Sequence, residues 1–246
     1  MNRLVIIIAL FVAIATQAQT VKIAAAADMK YIMPEFVANY KAQNPKTNIE
    51  VSYGSSGLFF QQISNGASFD LYYSADISYP KKLKELGLIS GNVITYAFGT
   101  LVLYSSTIDI SKGIEVLKHP AIQKIAIANP QHSPYGKRAE ECLKFYSMYE
   151  AVKGKLVLGD NITQTAQFAI TGNADVALIA LAIAMAPELK CKGKYIALYT
   201  KSYSPVEQAC VQIKGRQTNP EAVKFMKYVL SADCKPIFEK YGFIVP

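Results

Sequence analysis

Short strand-like runs alternate with helical segments along the chain from residue 21 onward. "VKIAAAA" is followed by a segment whose apolar residues have helical spacing, and the same order returns in "NIEVSYG" and "LFFQQIS". Further along, "KLVLGD" precedes "ITQTAQFAITG". Strands that alternate with helices in this way are typical of an α/β protein. The sequence therefore predicts α/β architecture with largely parallel sheets.

Local signals indicate where several helices begin and end. Asn65-Gly66 is typical of a helix C-terminus, because glycine adopts the left-handed conformation there at little cost. Asn219-Pro220 is typical of a helix start. Pro34 either lies in a first helical turn or delays the start of its helix.

The stretch "VSYGSSGLFFQQI", residues 51–63, places Ser55 and Ser56 between two glycines where a strand meets a helix. One interpretation is that a serine caps the helix, since serine is a preferred N-cap. The other is an anion site, because hydroxyl and backbone N–H donors meet there at the positive end of the helix dipole. These residues alone leave both interpretations open.

Four strand ends are followed by a small or polar turn and then a helix. Ligands of open α/β sheets lie beyond the carboxyl ends of the strands, where helix N-termini point. Most α/β proteins have such junctions, yet four of them could converge on one small anion. They are Ala27-Asp28, Ser55-Ser56, Pro134-Tyr135-Gly136 and Asn161-Ile162-Thr163.

The N-terminus has the pattern of a secretory signal peptide. Arg3 precedes an apolar run from Leu4 to Ala15, and small residues lead to a predicted cleavage after Ala18. Residues 1–18 are therefore predicted to be removed, which leaves about 228 residues (246 − 18) of an exported chain. The formal charge of +8 becomes +7 without Arg3, and the lysines are spread evenly, which disfavours a nucleic-acid partner.

The cysteines and histidines are the candidate residues for disulfides and for a metal site. An even number of cysteines in an exported chain favours disulfides, and four cysteines leave three pairings open. The chain lacks a CxxC or Cys/His spacing, which disfavours a zinc site. The residues concerned are Cys142, Cys191, Cys210, Cys234, His119 and His132.

An enzyme is the weaker alternative. A nucleophile elbow needs a glycine two residues on either side of the serine, and Gly54-Ser55-Ser56-Gly57 lacks that spacing. The sequence shows no Walker motif and no evident His/Asp partnership. A secreted hydrolase is thus kept only as an alternative, and no catalytic residue is predicted.

The ordered set of segments "VKIAAAAD", "YGSSG", "FDLYYSAD", "IANPQHSPYG", "GDN", "TGNADVALIAL", "VEQA" and "KYGF" resembles the periplasmic molybdate-binding proteins of ABC importers. The resemblance implies a type II periplasmic binding protein with two lobes, 19–97 plus 207–246 and 98–206. Each lobe would hold a mostly parallel sheet flanked by helices, with the ligand in the cleft between them. It also implies a monomer that binds molybdate, with tungstate as a second ligand, uses no cofactor and docks transiently on an inner-membrane permease.

The resemblance further implies that hydroxyl and backbone N–H donors hold the anion without a basic side chain. Carried over by position, the predicted ligand-binding residues are Ala27, Asp28, Ser55, Ser56, Tyr135 and Ile162. Tyr135 and Ile162 are expected to act through their backbone amides. Some relatives place a tyrosine hydroxyl where this chain has Ala180.

Asp28 departs from the family, which has serine, threonine or asparagine at this position. An ionised carboxylate cannot donate a hydrogen bond and repels an anion. Asp28 either caps the following helix with its side chain turned away from the ligand, or it accepts a proton from a partly protonated oxyanion such as hydrogen phosphate. Phosphate and sulfate are therefore the alternative ligands.

Overall fold

The computed structural model describes residues 20–215 and 219–246. The predicted signal peptide, residues 1–18, and its cleavage point lie outside the described residues. In the described part of the chain, no helix combines the length and the apolar character needed to cross a membrane.

Ten strands and ten α-helices are found in the described residues. The strands are β1 (Val21–Ala26), β2 (Ile49–Gly54), β3 (Leu71–Ser74), β4 (Ile89–Gly99), β5 (Leu101–Ser105), β6 (Ile125–Ala128), β7 (Leu156–Gly159), β8 (Val176–Ala180), β9 (Lys194–Ala197) and β10 (Val206–Ile213). The helices are α1 (Met33–Gln43), α2 (Ser56–Ser64), α3 (Ser78–Glu85), α4 (Pro134–Phe145), α5 (Tyr149–Val152), α6 (Ile162–Ile170), α7 (Leu181–Ala184), α8 (Pro187–Lys190), α9 (Pro220–Val229) and α10 (Lys235–Lys240). A short 3₁₀ helix, Ala27–Met29, directly follows β1.

The strands form two five-stranded sheets with the same topology. In the first, the order is β2-β1-β3-β10-β4, and β1 pairs in parallel with both of its neighbours. β10 is antiparallel to β3 and to β4, so it is the reversed strand. In the second, the order is β7-β6-β8-β5-β9, and β5 is the reversed strand. The predicted α/β class with two mostly parallel sheets is confirmed.

The chain passes from the first sheet to the second between β4 and β5, across Thr100. It returns between β9 and β10, in the segment 198–205. These crossings lie close to the predicted lobe boundaries, although β4 continues to Gly99 and β10 already begins at Val206. The two sheets form the two predicted lobes. The exact residue boundaries of the lobes, and the role of the crossings as a hinge, remain a prediction.

Strands that are buried on both faces form the centre of each sheet. Every residue of β3, β5, β6 and β8 is buried. Such strands have nearly continuous apolar sequences, because helices cover both faces of the sheet. Around the first sheet, Phe36 and Phe225 are fully buried, and the ring of Phe36 packs against Phe238 at a centroid distance of 4.9 Å.

The predicted helix boundaries are largely confirmed. Asn219 accepts a hydrogen bond from the Ala222 N–H at the start of α9, and Pro220 occupies its first turn. Gly66 has φ +90°, as expected for a glycine that follows a helix. Pro34 lies in the first turn of α1, which begins only at Met33.

The expectation of disulfides is wrong, because all four cysteines are free thiols in the structure. Cys142, Cys210 and Cys234 are buried, and the thiol of Cys142 is contacted by the Ser202 hydroxyl at 3.2 Å. Cys191 is exposed at the end of α8. The even number of cysteines therefore reflects separate packing positions and no covalent framework.

Helix α4 lies so close to β6 that one of its positions requires glycine. A Cβ atom on Gly136 would stand 2.1 Å from the carbonyl oxygen of Ala128. This contact is with backbone, so the helix itself would have to move. A Cβ atom on Gly154 would have no other atom within 4 Å, so Gly154 is the control position.

We expect Gly136→Ala to destabilise the protein by about 1–3 kcal/mol, the usual cost of overpacking. Gly154→Ala should stay within about 0.5 kcal/mol of the parent protein. Urea unfolding followed by circular dichroism measures both. Equal urea midpoints of unfolding for the two variants would contradict the close approach of α4 to β6.

Candidate functional site

The predicted site residues leave the two sheets at the same end and meet between them. β1 and β2 are in parallel register with Ala26 opposite Gly54, so the turns that follow them leave the first sheet side by side. In the second sheet, β6 and β7 end in register and lead to the N-termini of α4 and α6. The hydroxyl of Thr163 on α6 donates to the carbonyl oxygen of Ala27 at 2.9 Å, which joins the two sides.

All six predicted residues are buried where the two sides meet. Their exposed fractions range from 1% to 4%. The structure thus brings together residues that are far apart in the sequence, and it excludes water from them. They are Ala27, Asp28, Ser55, Ser56, Tyr135 and Ile162. Their role as ligands of an anion remains a prediction.

Ser55 occupies the N-cap position of α2 without capping it. Its hydroxyl donates instead to the backbone carbonyl of His132 at 2.5 Å, and the Nδ1 of His132 lies 3.0 Å from the Ser55 Oγ. The Gly57 N–H donates to that carbonyl as well, at 2.9 Å. Ser55 and Gly57 therefore connect the serine turn to the loop before α4.

Ser56 is the first residue of α2, and its hydroxyl faces a donor. Its Oγ accepts a hydrogen bond from the Ala75 N–H at 3.0 Å, and its carbonyl accepts one from the Tyr72 hydroxyl at 2.7 Å. Among the described residues, the Ser56 hydroxyl proton has no acceptor, so it remains available for a ligand. This arrangement disfavours the capping interpretation of the serines.

Two helices present uncommitted amides at their first turns. Asn161 caps α6 by accepting from the Thr163 and Gln164 N–H groups, which leaves the N–H of Ile162 free of the cap. Ser133 caps α4 by accepting from the Gly136 N–H, so the N–H of Tyr135 is likewise free of the cap. The first N–H groups of a helix have no intrahelical partner and carry the positive end of its dipole.

Asp28 lies at the centre of a buried hydrogen-bond cluster. Its Oδ2 accepts from the Tyr135 hydroxyl at 3.1 Å and from the Gln208 Nε2 at 2.6 Å. Gln208 is held in place by the hydroxyl of Tyr96, which donates to its Oε1 at 2.6 Å. The other carboxylate oxygen of Asp28, Oδ1, is buried and has no hydrogen-bond partner among the described residues.

The expectation that Asp28 caps the following helix is wrong. The 3₁₀ helix that contains it has Ala26 at its N-cap position, and α1 has Ile32, neither with a side-chain cap. Burial raises the pKa of Asp28 to about 6, and the hydrogen bonds from Gln208 and Tyr135 oppose this rise. At an effective dielectric constant of about 20, a charged Asp28 would repel a unit charge about 4 Å away by about 4 kcal/mol, and a dianion by twice that.

Ionic and polar contacts close the two sides beside the serine turn. Arg138 on α4 approaches Asp76 at 3.3 Å, and both side chains are largely buried. Lys137 lies over the ring of Tyr79, 5.4 Å from its centroid. The basic side chains of α4 closest to the site are therefore already engaged.

Several residues of the site were not predicted from the sequence. Gln208 and Thr163 contribute side chains, Ala75 a backbone amide and His132 a backbone carbonyl. Gln208 carried a signal, since it is a polar residue within the mostly buried strand "VEQACVQI". Thr163 lay in the predicted junction Asn161-Ile162-Thr163, although no role was predicted for it. The contacts of Ala75 and His132 are made by the backbone, which a side-chain pattern does not reveal.

Comparison with known proteins agrees with this architecture. Two molybdate-binding proteins named ModA are similar over much of their length. The one from Azotobacter vinelandii is 33% identical over 99% of this chain and 97% of its own, and the one from Rhodobacter capsulatus 36% identical over 81% and 79%.

Solved structures show the same fold. The periplasmic molybdate-binding protein of Azotobacter vinelandii superposes with a TM-score of 0.86 at 27% identity, covering 92% of this chain and 99% of that one. The sulfate-binding protein SubI of Mycobacterium tuberculosis reaches a TM-score of 0.72 over 92% and 86% of the two chains, but at 15% identity it shows the fold alone. The profile of the bacterial extracellular solute-binding proteins matches residues 21–244, and the chain belongs to that family.

Proposed function

We propose that this chain is the solute-binding component of an ABC importer and that its solute is molybdate, with tungstate as a second ligand. The names of the relatives from Azotobacter vinelandii and Rhodobacter capsulatus support molybdate. The observation that carries the proposal is the buried set of uncommitted neutral donors between the two sheets. It comprises the hydroxyl of Ser56 and the first-turn amides of α4 and α6.

Neutral donors are suited to a fully charged tetrahedral oxyanion. Each hydrogen bond to a charged acceptor contributes about 1.5–3 kcal/mol, and helix N-termini add a fixed positive potential without an ionisable side chain. Lys137 and Arg138 support the closed arrangement of the protein rather than the anion. No catalytic step is proposed, because the hydroxyl of Ser55 donates to the backbone carbonyl of His132.

Closure of the two lobes over the anion would create the surface that the permease recognises. The contacts of Gly57 and Ser55 with His132 join the two sides, so they form only when the lobes meet. An anion that binds the closed form better shifts the population toward it. We propose a monomeric, exported protein that docks transiently on its permease.

Hydrogen phosphate is the second candidate ligand. Asp28 supplies a buried carboxylate oxygen without a donor, and a partly protonated oxyanion carries the proton that such an oxygen accepts. Molybdate is preferred because the relatives named for their ligand bind molybdate.

A panel of oxyanions tests the proposal by thermal shift. Molybdate and tungstate at about a hundred times their dissociation constants should stabilise the protein by about 2.7 kcal/mol, or about 5–10 °C in melting temperature. Sulfate and chromate should have much smaller effects at equal concentration. The absence of a shift with both molybdate and tungstate would contradict the proposal.

Ser56→Ala should weaken molybdate binding by about ten- to a hundredfold, because one hydroxyl donor to a charged acceptor is lost. Ser52→Ala on the exposed side of β2 is the matched control and should bind normally. Isothermal titration calorimetry measures both. The Ser56 variant should also melt earlier, since the Ala75 amide loses its acceptor. Normal affinity combined with that lower melting temperature would restrict Ser56 to a structural role.

Gly57→Ala should hinder closure, because its Cβ would stand 2.5 Å from the His132 carbonyl oxygen across the cleft. We expect affinity for molybdate to fall about ten- to a hundredfold, as for an overpacked contact that forms only in the closed state. Gly154→Ala is the control and should bind like the parent protein. Calorimetry gives the affinity, and small-angle X-ray scattering gives the compaction on binding. Unchanged affinity and unchanged compaction would show that closure does not use this contact.

A further inference from the structure

The carboxyl group of Asp28 has one satisfied and one unsatisfied oxygen, although both are buried. Oδ2 accepts two hydrogen bonds, from Tyr135 and Gln208, whereas Oδ1 has no partner among the described residues. A buried acceptor without a donor is costly, and the cost is greatest for a charged one. Either the carboxyl group itself carries a proton on Oδ1, or a bound molecule brings one.

The position of Asp28 connects this oxygen to the anion site. The residue directly follows Ala27, whose carbonyl is held by Thr163 at the N-terminus of α6. The strand β2, which pairs with β1, leads into the serine turn, and Tyr135 lies in the first turn of α4. An anion held by the hydroxyl and the amides of this site would therefore lie beside Asp28.

The groups that act most strongly on Asp28 are uncharged hydrogen-bond donors. They are the amide of Gln208 on β10 and the phenol of Tyr135 on α4. The backbone N–H groups of Asp28 and Met29 also lower the pKa of Asp28, although neither has the geometry of a hydrogen bond to Oδ1. Tyr96 on β4 also belongs to the cluster through its hydrogen bond to Gln208, and Tyr203 interacts electrostatically with Tyr135. Burial raises the pKa of each of these three tyrosines, so they remain protonated. None of the groups acting most strongly on Asp28 is a cation that could compensate a second negative charge.

We propose that the site binds its oxyanion together with one proton, which lies between Asp28 Oδ1 and an oxygen of the anion. This inference rests on the proposed function and specifies how that site works. The proton comes from solvent when the anion is fully deprotonated, and Oδ1–H then donates to it. In the complex, Tyr135 and Gln208 continue to donate to Oδ2, so every oxygen of the carboxyl group is satisfied.

The pKa of Asp28, which burial raises to about 6, is consistent with this arrangement. A neighbouring negative charge raises the pKa of a carboxyl group further, so the group in the complex is protonated over a wider pH range than in the free protein. Between these two pKa values, binding takes up about one proton, and affinity falls about tenfold for each unit of rising pH. Below pH about 6, the free protein already carries the proton and affinity levels off.

Asp28→Asn is the decisive variant, because asparagine reproduces the protonated carboxyl group at every pH. Its Oδ1 can accept from Tyr135 and Gln208, and its Nδ2 can donate to the anion. Asp70→Asn is the matched control. Asp70 is also a buried carboxylate of the first sheet, but it accepts from the Lys22 N–H at the opposite end of β1.

The experiment is calorimetric titration of the purified protein with sodium molybdate from pH 5.5 to 8.5, in pairs of buffers with different ionisation enthalpies. Wild type and Asp70→Asn should take up about one proton per anion near pH 7.5 and lose affinity toward high pH. Asp28→Asn should take up none, bind with nearly constant affinity, and bind more tightly than wild type at pH 8.5. Binding by wild type without proton uptake and without pH dependence would overturn the inference alone.

Two further outcomes separate this inference from the proposed ligand. Binding of inorganic phosphate by wild type near pH 8, without proton uptake and lost in Asp28→Asn, would support the shared proton and overturn the molybdate assignment. Failure of all three proteins to bind either anion at any pH would overturn the proposed function and the inference with it.

Melting temperatures without anion give an independent measurement. A carboxyl group whose pKa is higher in the folded than in the unfolded protein contributes stability at low pH, and this contribution is lost as pH rises through about 6. Asp28→Asn should therefore gain stability relative to wild type between pH 5 and pH 8. If the melting temperatures of wild type and Asp28→Asn changed in the same way with pH, this would contradict the protonation of Asp28.

Discussion

A buried carboxyl group joins the parts of this protein on which its proposed function depends. Asp28 follows β1, an inner strand of the first sheet, Gln208 lies on the reversed strand of the same sheet, and Tyr135 lies in the first turn of a helix of the second. Because water is excluded from this cluster, each polar atom needs a partner within the protein or in a ligand. The hydrogen bond from Tyr135 to Oδ2 joins the two sides, and the unpartnered Oδ1 is what makes the site responsive to a proton.

The surrounding donors explain how such a site can hold an anion beside a carboxyl group. The hydroxyl of Ser56 and the first-turn amides of α4 and α6 offer fixed dipoles at a place from which water is excluded. In the family resemblance, a neutral donor occupies the position of Asp28. Protonation makes the carboxyl group chemically equivalent to such a donor, so this substitution is compatible with the same kind of ligand.

Sequence and structure agree where the determinants are local. The alternation of strands and helices, the cap at Asn219 and the glycine after α2 depend on residues within a few positions of one another. The four predicted junctions also meet, because parallel strands place their carboxyl ends at one edge of each sheet. The expected cap at Asp28 and the expected disulfides are wrong, because residue type alone does not show which partner a buried side chain meets.

The amino-acid sequence by itself therefore determined the α/β class, the positions of the strand ends and the residue types gathered at the site, since hydrophobic periodicity and turn chemistry act over short distances. Only the tertiary structure decided which donors are still free and which are already engaged. Asp28 lies 107 positions from Tyr135 and 180 from Gln208, and Ser55 lies 77 from His132. Whether such residues meet depends on how two sheets pack against each other, and that packing satisfies one oxygen of Asp28 while it leaves the other without a donor.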